Sequence, residues 1–106
     1  MLNTLKNILG FGPKVDLNEL MQQGGIVVDV RSKAEYAGGH VKGSINIPLD
    51  QLNGNLKKLK NKEQPIITCC ASGMRSSSAK GMLKSAGYTN VHNGGSWYSV
   101  DSELGN

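Results

Sequence analysis

The sequence is poor in cysteine, and the two it has, Cys69 and Cys70, are neighbours. Adjacent alpha carbons lie about 3.8 Å apart, too close for ordinary disulfide geometry. That excludes a disulfide framework, and reduced thiols in a reducing compartment are expected. Aromatic residues make up only 5% of the chain, which leaves few rings to stack on bases. The positive excess is modest at +4, and Lys57, Lys58, Lys60 and Lys62 gather in one short segment that reads as a solvated face. Nucleic acid is therefore not an expected partner. His40 and His92 have no short paired spacing, and adjacent cysteines lack the spacer of zinc sites, so no metal or cofactor is expected. No apolar run approaches the roughly 18 residues needed to cross a bilayer. Asn3, Thr4, Lys6 and Asn7 also break up the N-terminal apolar residues where a secretory segment would keep them continuous. A cytoplasmic protein without a membrane span is the expectation.

What remains is a chain of 106 residues, 38% of them hydrophobic, with no internal repeat, suited to one globular domain. That domain is placed at residues 13–106, behind an N-terminal extension at residues 1–12. In the extension Leu2, Leu5, Ile8 and Leu9 have the spacing of a short helix that Gly10, Gly12 and Pro13 would stop. Ile-Val-Val-Asp-Val at residues 26–30 and Ile-Ile-Thr-Cys at residues 66–69 read as buried strands, and Val91 begins a weaker one ending at Gly94 and Gly95. Between them lie one-sided apolar stripes of helical spacing: Leu17, Leu20 and Met21; Leu49, Leu52, Leu56 and Leu59; Ala79, Met82, Leu83 and Ala86. Asp16 with Glu19 and Ser32 with Glu35 have capping-box spacing, and Gly87 marks a helix end. Strand and helix alternate, which implies an α/β fold whose parallel strands are covered by helices on both faces. Ligands of such sheets bind beyond the carboxyl ends of the strands, where Asp29 to Arg31 and Cys70 to Arg75 fall.

The second of these clusters, Cys70-Ala71-Ser72-Gly73-Met74-Arg75-Ser76, leaves a strand and enters a helix. Its backbone N–H groups are free to turn inward around the sulfur, and Gly73 allows the required backbone. Together with the helix N-terminus and the Arg75 cation they favour the thiolate, so Cys70 is expected to be nucleophilic at neutral pH. A thiolate ringed by donors suits attack on a sulfane sulfur or attack on phosphorus, each through a covalent intermediate.

The pattern Cys70-x-x-Gly73-x-Arg75-Ser76 resembles the active-site loop of the rhodanese family of sulfurtransferases. Asp29-Val30-Arg31, Glu35-Tyr36 and the run from Gly39-His40-Val41 through Gly43 to Pro48 resemble that family's first signature, and Gly87-Tyr88, Val91, Gly94-Gly95 and Trp97 its closing segment. The resemblance implies a three-layer sandwich with a five-stranded, mainly parallel sheet. It also implies a Cys70 persulfide that accepts sulfur from thiosulfate, glutathione persulfide or polysulfide and passes it to a thiol or cyanide-like acceptor, or to a sulfur-accepting protein. Ala71, Ser72, Gly73, Met74, Arg75 and Ser76 would bind the substrate sulfur, with Arg75 steadying the loop or the donor's anionic end. Asp29, Arg31 and Glu35 would support the pocket. Because Arg75 is the loop's one cation, a persulfide or polysulfide is favoured over the thiosulfate dianion.

Two rivals remain. Counted from Cys69, five residues separate a cysteine from Arg75, the spacing of cysteine phosphatases and of arsenate reductases on the same fold, although Ser72 then stands where their loops commonly have glycine. A non-catalytic binding module is the other. Cys69 is expected in the core because neighbouring strand residues face opposite sides, with a resolving thiol as its alternative. His40 is expected to be structural, Trp97 and Tyr98 to be lid or core residues, and Met74 to face the entrance.

Overall fold

The computed structural model describes residues 15–105, so the expected helical extension at residues 1–12 lies outside the described residues. Asp16 accepts the amides of Asn18 and Glu19 and opens helix α1, Leu17–Gln22. Strand β1, Ile26–Asp29, follows, and then the short helix α2, Lys33–Ala37, which has the full reciprocal cap between Ser32 and Glu35. Strand β2 is only Ile45–Asn46. After two 3-10 segments, Leu49–Gln51 and Asn53–Lys58, come strand β3, Ile66–Cys70, helix α3, Met74–Ser85, strand β4, Val91–Ser96, and helix α4, Trp97–Glu103.

The strands order as β2-β1-β3-β4, and every pairing is parallel. Among the described residues the sheet thus has four strands where the family resemblance implied five. Between β2 and β3 the chain runs through the 3-10 segments. Those segments replace the helix expected from the leucine stripe at residues 49–59. Asn53, Gly54 and Asn55 interrupt the stripe, Asn55 lies at φ −126°, and weak helix formers there leave only tight turns. The stripe still does its packing, since Leu52 and Leu59 are fully buried.

Alternation along the strands sorts the core into two layers. On one face Val28, Ile66 and Cys70 pack with Ala79 and Leu83 of α3 and with Leu52 and Leu59. On the other, Val27, Ile67 and Cys69 pack with Leu17 and Leu20 of α1 and Val100 of α4. Each such aliphatic side chain contributes roughly 1.5–3 kcal/mol by leaving water.

Strand β4 runs past its expected end. Its register with β3 shifts by one residue between Thr68↔Asn93 and Cys70↔Ser96, a bulge centred on Gly94 and Gly95. A side chain at Gly94 would meet Val100 Cγ2 at 2.6 Å and Ile67 Cγ2 at 2.8 Å, so the close approach of α4 to the sheet needs glycine there. The bulge lies directly beside the carboxyl end of β3 and sets the geometry described next.

Candidate active site

Cys70 is the last residue of β3, and the chain turns at once into α3. Gly73 makes the turn at φ +101°, a conformation that side-chain-bearing residues resist. The turn directs amides back onto the sulfur: Gly73 N–H donates to Cys70 Sγ at 2.9 Å and Ser76 N–H at 3.4 Å. The Cys70 S–H lies 3.7 Å from Ser76 Oγ. Burial pushes the thiol up, but the Ser76 amide and hydroxyl, with the Gly73 and Ser72 amides, outweigh it and hold the thiol below its ordinary value. Cys70 itself is 0% exposed, whereas Met74 beside it is 79% exposed and Ala71 and Ser72 are exposed.

Arg75 does not point at the sulfur as a free cation. Its two terminal nitrogens donate to both carboxylate oxygens of Glu35 at 2.7 and 2.9 Å, tying the first turn of α3 to the capped helix α2. Glu35 is held down to about 2, first by Arg75 and then by Ser32. Arg31 forks onto Asp29, with Nη2 2.7 Å from Oδ2, and both side chains are buried. Arg31 also donates to the carbonyls of Gly39 and Glu35 and lies over the Trp97 ring at 4.9 Å from its centroid. Asp29 and Arg31 therefore brace the turn after β1 and the start of α4. His40 stacks on Tyr36 and bonds its carbonyl, a structural position.

A cavity of about 430 Å³ opens beside the loop, lined by apolar Val30, Pro48 and Leu49 and by Ser32, Lys33, Asp50, Gln51 and Arg75. Arg75 joins the cavity to the cysteine loop. Cys69, one residue away, is in the opposite core layer, and its thiol is pushed up to about 12, first by burial and then by the charge of Asp29.

Sequence reasoning missed two residues that order the loop. Thr68 Oγ1 donates to the Ser76 carbonyl at 2.9 Å, anchoring the first turn of α3 to β3. Asn93 Oδ1 accepts from Ser76 Oγ at 2.6 Å and from Gly95 N–H at 2.9 Å. The available signal was a polar residue just before a glycine pair at the end of a strand adjacent to the cysteine strand.

A sulfur gathered by amides at the junction of a parallel strand and a helix, on a sheet covered on both faces, defines a rhodanese-like domain, and the chain belongs to that family. The family description Rhodanese-like domain matches residues 14–99. Among curated relatives, Thiosulfate sulfurtransferase PspE of Escherichia coli (strain K12) is 36% identical over 69 residues, covering 64% of this chain and 66% of that protein. Thiosulfate sulfurtransferase GlpE of Pseudomonas fluorescens (strain SBW25) is 32% identical over 81 residues, covering 76% and 72%. A solved structure described as rhodanese with anions from E. coli superposes with TM-score 0.68 at 33% identity, covering 71% of this chain and 89% of that one. The match spans 66% and 72% of the length of these two curated relatives and 52% of a third, the uncharacterized protein YqhL of Bacillus subtilis (strain 168), which is 34% identical over 67 residues. Among the described residues no helix is long and apolar enough to cross a membrane.

Proposed function

We propose that the chain is a sulfurtransferase in which Cys70 carries the transferred sulfur. The observation that supports this most strongly is the set of amide donors converging on Cys70 Sγ, which favours an anionic sulfur there. The thiolate attacks the outer sulfur of a sulfane donor. A new S–S bond forms, the donor's own S–S bond breaks, and the leaving group departs with the electron pair as sulfite or a thiolate. A nucleophilic acceptor, a thiol or cyanide, then attacks the outer sulfur of the Cys70 persulfide and Cys70 leaves as thiolate. The amides of residues 71–76 serve both anionic states and Arg75 holds the loop through Glu35. Asp29 and Arg31 act one step further out.

Glutathione persulfide or polysulfide is the donor class favoured over thiosulfate. Arg75, the one cation of the loop, is already paired with Glu35, while the adjoining cavity offers apolar wall and Lys33. Exposed Met74 gives an accepting protein an apolar contact at the mouth. Two adjacent free thiols suit a reducing compartment such as the cytoplasm. The phosphatase-type reading from Cys69 is disfavoured because that thiol lies in the core layer opposite the loop, where burial and then the charge of Asp29 favour its protonated form, while the loop amides turn to Cys70.

The test is turnover with thiosulfate, glutathione persulfide and polysulfide as donors and with cyanide and glutathione as acceptors. Transfer that is lost in Cys70→Ser and fastest with a persulfide is expected. Absence of transfer from every donor, alongside phosphate-ester hydrolysis or arsenate reduction, overturns the reading.

A further inference from the structure

Ser76 Oγ has one proton and two oxygen acceptors in reach, Asn93 Oδ1 at 2.6 Å and the Gly73 carbonyl at 3.1 Å, and it accepts the Cys70 S–H at 3.7 Å; an anionic Cys70 would compete as a third acceptor. The Asn93 amide cannot be turned over to change this competition. Its Oδ1 accepts the Gly95 N–H at 2.9 Å while its Nδ2 donates toward the Gly73 carbonyl at 3.4 Å, and a flip would set donor against donor and acceptor against acceptor. Ser76 therefore gives its proton to Asn93 and presents a lone pair to the sulfur.

We propose that Asn93 is a positioning residue that parks the Ser76 hydroxyl proton away from Cys70 while that sulfur is protonated or bonded to a second sulfur, and releases it to the sulfur when Cys70 becomes anionic. The proposal rests on the sulfur-transfer reading for its purpose. In the persulfide the inner sulfur carries no charge and needs no hydroxyl donor. When the acceptor bonds to the outer sulfur and the S–S bond breaks, the electron pair settles on Sγ. The hydroxyl then turns toward it, and Asn93 Oδ1 keeps the Gly95 N–H, so no acceptor is stranded. The bulge in β4 makes this arrangement available by setting Asn93 opposite Thr68 and Ser96 opposite Cys70. Of the charged groups around the site, Glu35 of α2 is paired with Arg75 of α3 and Asp29 of β1 with Arg31, while Lys80 of α3 and Glu103 of α4 line the cavity that Asn93 borders, so the Asp variant is read against the Lys80 cation as well. Behind the site on β3 is Cys69, buried and held protonated, and on β4 His92 bonds Asn90.

The experiment measures the rate of Cys70 alkylation by iodoacetamide against pH in the full chain carrying Cys69→Ala, so that one thiol reports. Asn93→Asp, nearly isosteric at an exposed position, holds the hydroxyl more tightly and adds a like charge. It is expected to raise the midpoint by about one pH unit. Asn93→Leu removes the shorter of the two oxygen acceptors, leaving the Gly73 carbonyl at 3.1 Å as the one oxygen competitor for the hydroxyl proton, and is expected to lower it. In a Ser76→Ala background the Leu shift should vanish and the Asp shift should shrink to its through-space part. An unmoved midpoint in Asn93→Asp overturns the proposal, as does a Leu shift that is upward or equal with and without Ser76. Should Asn93→Leu fail to fold, the Asp variant with and without Ser76 decides alone. Alkylation needs no sulfur donor, so failure of sulfur transfer in the unsubstituted protein would remove the proposed reaction and leave this measurement decisive for Asn93.

Discussion

Cys69 and Cys70 share a strand end and have opposite chemistry. Alternation sends Cys69 into the layer of Leu17 and Val100, where burial holds it protonated, and turns Cys70 toward α3, whose first amides favour its anion. Iodoacetamide at neutral pH should label Cys70 in the native protein and reach Cys69 only after denaturation, read by mass spectrometry of fragments; native labelling of Cys69 would contradict the assignment. Arg75 gives a sharper contrast. Because its guanidinium is forked on Glu35, Arg75→Ala should reduce sulfur loading while moving the Cys70 alkylation midpoint less than loss of a loop amide does. A midpoint shift as large as that of a loop variant would return a direct electrostatic role to Arg75. Cys70 and Arg75 were legible in the sequence because both belong to one continuous loop whose spacing carries its chemistry. Asn93 was not, since it reaches Ser76 across a strand pairing whose bulged register no local pattern encodes.

At the scale of elements, the loop depends on one backbone conformation. Gly73 lies at φ +101°, and a Cβ there would stand 3.4 Å from Gly95 Cα. Gly73→Ala should cost about 1–3 kcal/mol by thermal or denaturant melting, the range for a strained non-glycine backbone. It should also raise the alkylation midpoint, because Gly73 N–H is the shortest donor to the sulfur. Strands β1 and β3 and helix α3 were legible from β-branched runs and an apolar stripe, and the Ser32–Glu35 cap from its spacing alone. The stretch from 49 to 59 was legible only as a buried stripe, since periodicity reports which face is covered and not whether the turns are α or 3-10. Gly54 within it meets nothing within 4 Å of a built Cβ, so Gly54→Ala should stabilise the protein by about 0.4–1 kcal/mol through the unfolded chain. A lower melting temperature would show that the 3-10 turn itself requires glycine.

For the whole molecule, the same groups shape stability against pH. Glu35 has its folded value lowered from 4.5 to about 2, so its pairing with Arg75 contributes fully above 4.5 and is lost as pH falls toward 2. Cys69 has its folded value raised from 9.0 to about 12, so its contribution is complete below 9.0 and is lost as pH rises toward 12 while the unfolded chain ionises. Denaturant titrations across pH should show the acid limb flattened in Glu35→Gln and the alkaline limb flattened in Cys69→Ala; unchanged limbs would contradict these couplings. Whether Cys70 at the carboxyl end of β3 accepts sulfur, as proposed, is decided by intact mass spectrometry after incubation with glutathione persulfide. The expected result is a gain of one sulfur atom, removed by cyanide, retained in Cys69→Ala and absent in Cys70→Ser. No gain with any sulfane donor, or a gain that survives Cys70→Ser and disappears in Cys69→Ala, would contradict it.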